Sequence, residues 1–156
     1  KPSVRQRLIK KGLGMSRRQI SRMKTLLENW RGYMNEAKDS TSVAKVIIVD
    51  KNKALVLLRS SGEKHPNKWD LPGGHIHEGE DIKDGLLREV YEETQIKLQD
   101  PINKLYSEGN ITYFKANMPN QDIKLSHEHT EHKFVTVKTL PDDISDNFIK
   151  AIKKAL

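Results

Sequence analysis

Two apolar, β-branched runs, Val43–Val49 and Ala54–Leu58, set the tightest limit on what this chain can fold into. Each is strand-sized, and the four polar residues between them, Asp50-Lys51-Asn52-Lys53, suit a hairpin connection. The period then changes. From Asp81 to Thr94 the apolar residues Ile82, Leu86, Leu87 and Val90 form a helical stripe, with Asp81 placed to cap it. Further strands are expected near 103–107, 110–117, 121–125 and 132–137. Pro141-Asp142-Asp143 is expected to open a last helix whose buried face is Ile144, Phe148, Ile149 and Ile152. Strands and helices mixed in this way predict an α/β domain over 41–156.

Residues 1–40 read differently. Ser16-Arg17-Arg18-Gln19 has the form of a capping box, in which Ser16 caps and Gln19 reaches back. Ile20, Met23, Leu27, Trp30 and Met34 follow at helical spacing, one apolar seam on a helix of about five turns. The net charge of +7 is concentrated here. Residues 1–33 carry ten Lys and Arg against one acid, Glu28, a net +9, and the other 123 residues hold 18 basic and 20 acidic side chains, or −2. The segment is therefore a basic helical arm. Its seam suits packing on the domain or a homodimer contact. Its charge, with Arg17 and Arg18 in a first turn where the helix dipole disfavours cations, suits RNA or another polyanion.

The chain has no cysteine, which excludes disulfides, thiolate metal sites and a cysteine nucleophile and fits a reducing cytoplasm. No apolar run is long enough to cross a bilayer, and the basic N-terminus lacks the apolar core of a secretory leader. Because the sequence begins at Lys1, a trimmed chain or one domain of a longer protein is expected.

The chemistry concentrates in Leu71-Pro72-Gly73-Gly74-His75-Ile76-His77-Glu78-Gly79-Glu80 and, further on, Arg88-Glu89-Val90-Tyr91-Glu92-Glu93. Residues three and four apart share a helix face, so Glu89, Glu92 and Glu93 aim three carboxylates at one volume. Such a cluster repels itself unless a cation sits within it, and a hard divalent ion with oxygen ligands is the natural occupant. Arg88 can pair with neighbouring acids. Pro72-Gly73-Gly74 makes a turn where bare backbone can approach a metal or phosphate. A helix with three glutamates is, taken alone, most often a solvated face; the spacing to Gly74 and Glu80 argues against that here.

That spacing resembles the signature of the Nudix hydrolase family (MutT-like): Gly, five residues, Glu, seven residues, then Arg-Glu-aliphatic-any-Glu-Glu-any-Gly-aliphatic. It maps onto 74–96 as Gly74, Glu80, Arg88, Glu89, Val90, Glu92, Glu93 and Ile96. Gln95 stands where the family has glycine. That glycine reads as a left-handed helix cap, so the departure bears on how the helix ends. Gly85, inside the helix, reads as close packing under the loop.

The resemblance implies an α/β/α sandwich around a mixed sheet and a Mg2+-dependent hydrolase, with Mn2+ as substitute, that splits a diphosphate linkage. The substrates it implies are small nucleotides: nucleoside triphosphates, dinucleoside polyphosphates or nucleotide sugars. Glu89, Glu92, Glu93 and the Gly73 carbonyl would hold the metals, and Glu80, Arg88 and Gly74 would support them. Glu128 is the first candidate for general base and Glu131 the second, one of the metal-binding glutamates being the other option. A zinc site from His127, His129 and His132 is a rival reading of that loop. Trp69 reads as core, with base stacking as the alternative; Tyr106 and Tyr113 read as packing residues that could stack on a base. Arg59 and Lys64 are either phosphate contacts or ordinary surface charge. Two other functions compete: trimming of RNA 5′ ends, supported by the arm alone, and a non-catalytic nucleotide-sensing module, opposed by the intact glutamates.

Overall fold

A computed structural model describes residues 16–39 and 42–156. The chain divides into two compact units, Lys1–Ser40 and Thr41–Leu156. In the first, helix α1 spans Arg17–Asp39. Its capping box forms as read: the Ser16 N–H donates to Gln19 Oε1 at 2.9 Å, and the Gln19 N–H donates to Ser16 Oγ at 3.2 Å. Met23, Leu26 and Leu27 on this helix are exposed. The part of the arm before Ser16 lies outside the described residues. No helix among the described residues is long and apolar enough to cross a membrane.

The second unit holds seven strands in one mixed sheet: β1 (Val43–Asp50), β2 (Lys53–Arg59), β3 (Trp69–Asp70), β4 (Gly73–His75), β5 (Asn103–Glu108), β6 (Ile111–Asn117) and β7 (His129–Val135). Helix α2 (Ile82–Thr94) follows β4, and α3 (Asp146–Ala155) closes the chain. The hairpin between β1 and β2 is tight. Lys51 and Asn52 both take positive φ, 48° and 61°, and Asp50 pairs with Lys53, as in a two-residue turn whose twist matches the strands.

The central strands are buried on both faces, which makes a sandwich. Ala44, Val46 and Ile48 join Leu86 and Val90 of α2 in one core, while Ile47 joins Ala151 and Ile152 of α3 in the other. Period-two alternation along β1 divides it between the two. Strand β1 runs parallel to β6 along its length but antiparallel to two partners on its other side. Its start pairs with β4 and only its end with β2. The two hairpin strands therefore splay, and Asp70-Leu71-Pro72-Gly73 threads between them, with Asp70 opposite Leu57 and the Val46 N–H bonded to the Pro72 carbonyl at 2.9 Å.

Three expectations shift. Residues 121–125 form no strand: the Lys124 and Ser126 N–H groups donate to the Thr94 and Glu93 carbonyls, the otherwise unpaired acceptors at the end of α2. Ile123 and Leu125 still pack on the core. The last strand begins at His129 rather than 132, in a polar stretch paired with β2. The last helix starts later than Pro141, with Ser145 as N-cap accepting from the Asn147 N–H at 3.2 Å.

Candidate active site

The site is built where the threaded turn meets α2. Asp81 caps this helix, accepting from the Lys83 and Asp84 N–H groups. Gln95 ends it in the left-handed conformation, φ 59°, which is the role read for the missing glycine. Glycines set the distance between turn and helix. A Cβ on Gly74 would lie 2.6 Å from Glu89 Oε2, and one on Gly73, which has φ +124°, would lie 2.1 Å from the Ala44 carbonyl oxygen. A Cβ on Gly85 would lie 2.6 Å from Ile76 Cδ1 and 2.7 Å from Glu80 Oε1, so the helical glycine makes room for the loop and its carboxylate.

The carboxylates do not converge as expected. Arg88 sits among them. Its Nε and Nη2 bind the two oxygens of Glu80 at 3.0 and 3.1 Å; Nη1 reaches Glu89 at 3.0 Å and Glu92 at 3.3 Å; Nη2 also reaches the His75 carbonyl at 3.0 Å. The guanidinium is thus the cation that relieves repulsion among Glu80, Glu89 and Glu92. Hydrogen bonding from Arg88 lowers the Glu80 carboxyl to about 2. Glu93 turns the other way. It is buried, its Oε2 accepts from the Gly73 N–H at 3.3 Å, and burial raises its carboxyl well above the usual range. Among the described residues, no three His, Cys, Asp or Glu side chains gather closely enough to hold a metal ion as they stand.

The same residues nonetheless suit a hard cation. The groups that the signature supplies at the turn, the Gly73 carbonyl and the carboxylates of Glu89, Glu92 and Glu93, are oxygen donors, as magnesium requires. Glu93 is a buried carboxylate whose charge is opposed by burial, which a cation would offset. Glu92 has a side chain 57% exposed and, among the described residues, is held only by the longer Arg88 contacts, so it is free to reorient.

A polar cluster behind the turn was not legible as a site. Lys45, 7% exposed, donates from Nζ to both oxygens of Asp70, at 3.0 and 3.2 Å, and to the Leu71 and Gly73 carbonyls, each at 3.1 Å. Arg59 Nη1 holds Asp70 Oδ2 at 3.0 Å, and its Nε donates to the Lys64 carbonyl. Burial alone would raise the Asp70 carboxyl, but Lys45, with His129 and Arg59, brings it well below the usual range. The missed signal was a lysine inside an otherwise apolar strand, which demands a buried acid. The cluster forms one wall of a cleft of about 600 Å3, lined also by Trp69, Asp142, Asp143 and Phe148. Trp69 is half-buried: it packs against the core on the α3 side, as read, and also lines the cleft, with Lys133 Nζ 4.3 Å from its ring centroid. Tyr113 is fully buried against Tyr106, at 4.9 Å between ring centres, so it packs as read.

In the following loop, the Glu128 carbonyl accepts from the Ser60 N–H, and the Glu128 N–H donates to Ser126 Oγ at 3.3 Å. The histidines of the rival zinc reading separate: His129 is buried 3.9 Å from Asp70, while His127 and His132 are exposed. Glu131, on β7, is exposed.

A mixed sheet between two helices, with a Gly-Gly turn set against a glutamate-bearing helix, defines an α/β/α sandwich. The family model described as NUDIX domain matches residues 39–154, and the chain belongs to the Nudix family. A MutT-like protein of Streptomyces ambofaciens is 27% identical over 126 residues, covering 73% of this chain and 77% of that one. Nudix hydrolase 7 of Arabidopsis thaliana is 48% identical over 56 residues, 34% of this chain and 20% of that protein, so the chain spans about a fifth of that relative's length. The crystal structure of a C. elegans Ap4A hydrolase binary complex superimposes with a TM-score of 0.59 at 26% identity, over 72% of this chain and 94% of that one.

Proposed function

We propose that the protein is a Mg2+-dependent pyrophosphohydrolase of small nucleotides, with Mn2+ as substitute. The observation that carries this reading is the placement of the signature turn. Gly73 joins the buried Glu93 to the wall of a cleft whose volume and aromatic lining suit a nucleoside. Glu89, Glu92, Glu93 and the Gly73 carbonyl would hold the metals. When bound, these would neutralise charge on the diphosphate and acidify a water. The remaining roles belong to the protein. Arg88 and Glu80 hold Glu89 in place, and Gly74 leaves room for its carboxylate. Trp69 and Phe148 offer the cleft faces on which a base stacks. Glu128, whose carboxylate makes no hydrogen bond among the described residues, is the general base, accepting the proton of the attacking water.

Dinucleoside polyphosphates, nucleoside triphosphates and nucleotide sugars are the candidate substrates; the Ap4A hydrolase likeness favours the first. The test is hydrolysis across these classes with Mg2+, read by released phosphate and mass spectrometry. Turnover that stops in chelator and returns with Mg2+ or Mn2+ supports the reading, and full turnover in chelator contradicts it. A second reading, RNA contact by the arm, is favoured by the exposed Arg17 and Arg18 in a first turn with no acid. Gln at Arg17, Arg18, Arg22 and Lys24 should then weaken RNA binding and flatten its salt dependence. Unchanged affinity and slope would exclude it.

A further inference from the structure

Lys45 lies on β1 between Ala44 and Val46, both fully buried, where a strand has no ordinary use for an ammonium. Alternation turns it to the opposite face from its neighbours, toward the cleft, with Nζ 5.8 Å from the Phe148 ring centre. An ammonium has three protons. Here they face four acceptors within 3.2 Å, the two Asp70 oxygens and the Leu71 and Gly73 carbonyls. None is left for a substrate.

What those bonds join is informative. Asp70 and Gly73 stand at the two ends of the segment threaded between β2 and β1. Asp70 belongs to the cleft, where Arg59 Nη1 also donates to its Oδ2. Gly73 belongs to the metal turn, where its N–H holds the Glu93 carboxylate. A carbonyl oxygen has two lone pairs, so Gly73 can accept from Lys45 with one and keep the other for a metal.

We infer that Lys45 is a positioning residue for the hydrolysis: its ammonium ties Asp70 in the cleft to the Gly73 carbonyl and so holds the metal turn in register with the bound nucleotide. This rests on the proposal that Gly73 and the α2 glutamates hold the metal. It makes Lys45 an indirect contributor, acting through Gly73, rather than a contact of the phosphates.

Lys45→Met keeps the aliphatic stem and removes the ammonium. The measurements are Mn2+ affinity by electron paramagnetic resonance without substrate, steady-state hydrolysis, and a thermal melt. Residues that orient metal ligands typically cost about 10- to 100-fold in metal affinity or activity when removed. We expect that range for Mn2+ affinity and for kcat in Lys45→Met, with KM within about threefold. Asp70→Asn, which keeps shape but takes the charge from the lysine's main partner, should weaken Mn2+ binding in the same direction by less. Wild-type Mn2+ affinity in Lys45→Met overturns the inference. So does tighter Mn2+ binding, which would mean that the lysine only repels the metal, or a rise in KM alone, which would mean substrate contact. If Lys45→Met shows no cooperative melt, Asp70→Asn decides, and wild-type Mn2+ affinity there overturns the inference. A wild-type protein that binds no Mn2+ would instead overturn the metal reading beneath it.

Discussion

Replacing Gly74 with alanine should separate the chemistry from the fold. The added Cβ would sit 2.6 Å from Glu89 Oε2 and 2.7 Å from its carboxyl carbon, well inside contact distance, so Glu89 must move. Its other oxygen is held by Arg88 at 3.0 Å, and that bond must lengthen or break. A partly exposed ion pair of this kind contributes about 0.5–1 kcal/mol. Against this, alanine restricts the unfolded chain and returns about 0.4–1 kcal/mol. The two nearly cancel, so the melt should stay close to wild type. Activity should not. Displacing a ligand by less than an ångström can cost about a hundredfold in rate, roughly 2.7 kcal/mol of barrier. Gly79→Ala is the mirror experiment. Gly79 has φ +77° and nothing within 4 Å of a built Cβ, so alanine there costs about 1–2 kcal/mol of backbone strain and leaves turnover alone. Steady-state hydrolysis paired with thermal melts reads both. Gly74→Ala at wild-type rate, or Gly79→Ala with a hundredfold loss, would refute this account of the turn.

Gln95→Gly should raise stability by about 1 kcal/mol, because Gln95 already occupies the left-handed cap at φ 59°, and should leave the rate within a few fold; a melt scan and a rate assay check both. Glu80 supplies a pH signature. Its carboxyl is lowered from 4.5 to about 2 in the folded state, so the stability it contributes is present above pH 4.5 and is lost as pH falls toward 2. Glu80→Gln should therefore flatten the melting-temperature profile between those values, and an unchanged profile would contradict the Arg88–Glu80 pairing.

Much of this was legible because local chemistry and global fold agree. The β1–β2 hairpin, the Ser16 box and the Asp81 cap each follow from residues whose local preferences agree with the fold. The Gln95 terminus was legible only from the glycine position of the signature, because glutamine disfavours the left-handed φ it takes. The segment 121–125 misled because its alternation reflects packing of Ile123 and Leu125, while the N–H groups of Lys124 and the following Ser126 serve the end of a helix. Strands β3 and β4 are two and three residues long in a stretch of Pro and Gly, where no period can be read. The glutamate helix was legible, and so was the pairing of Arg88 with its neighbouring acids, since the Glu92 contact is four residues on along one helix. The meeting of Lys45 and Asp70 behind the turn was not, because it depends on which strands splay. That is a property of the sheet and not of any window of sequence.

The central claim, that the α2 glutamates hold the catalytic metals, is tested most directly by changing Glu92 and Glu93 to Gln one at a time, with Glu78→Gln as control. Burial raises the Glu93 carboxyl, so its ionisation costs stability as pH rises above 4.5; Glu93→Gln should melt higher than wild type at neutral pH in chelator. Hydrolysis with Mg2+ should fall about a thousandfold or more in Glu92→Gln and Glu93→Gln, through loss of a metal ligand, and stay near wild type in the exposed Glu78→Gln. Wild-type rates in both α2 variants, or an equal loss in the control, would contradict the assignment.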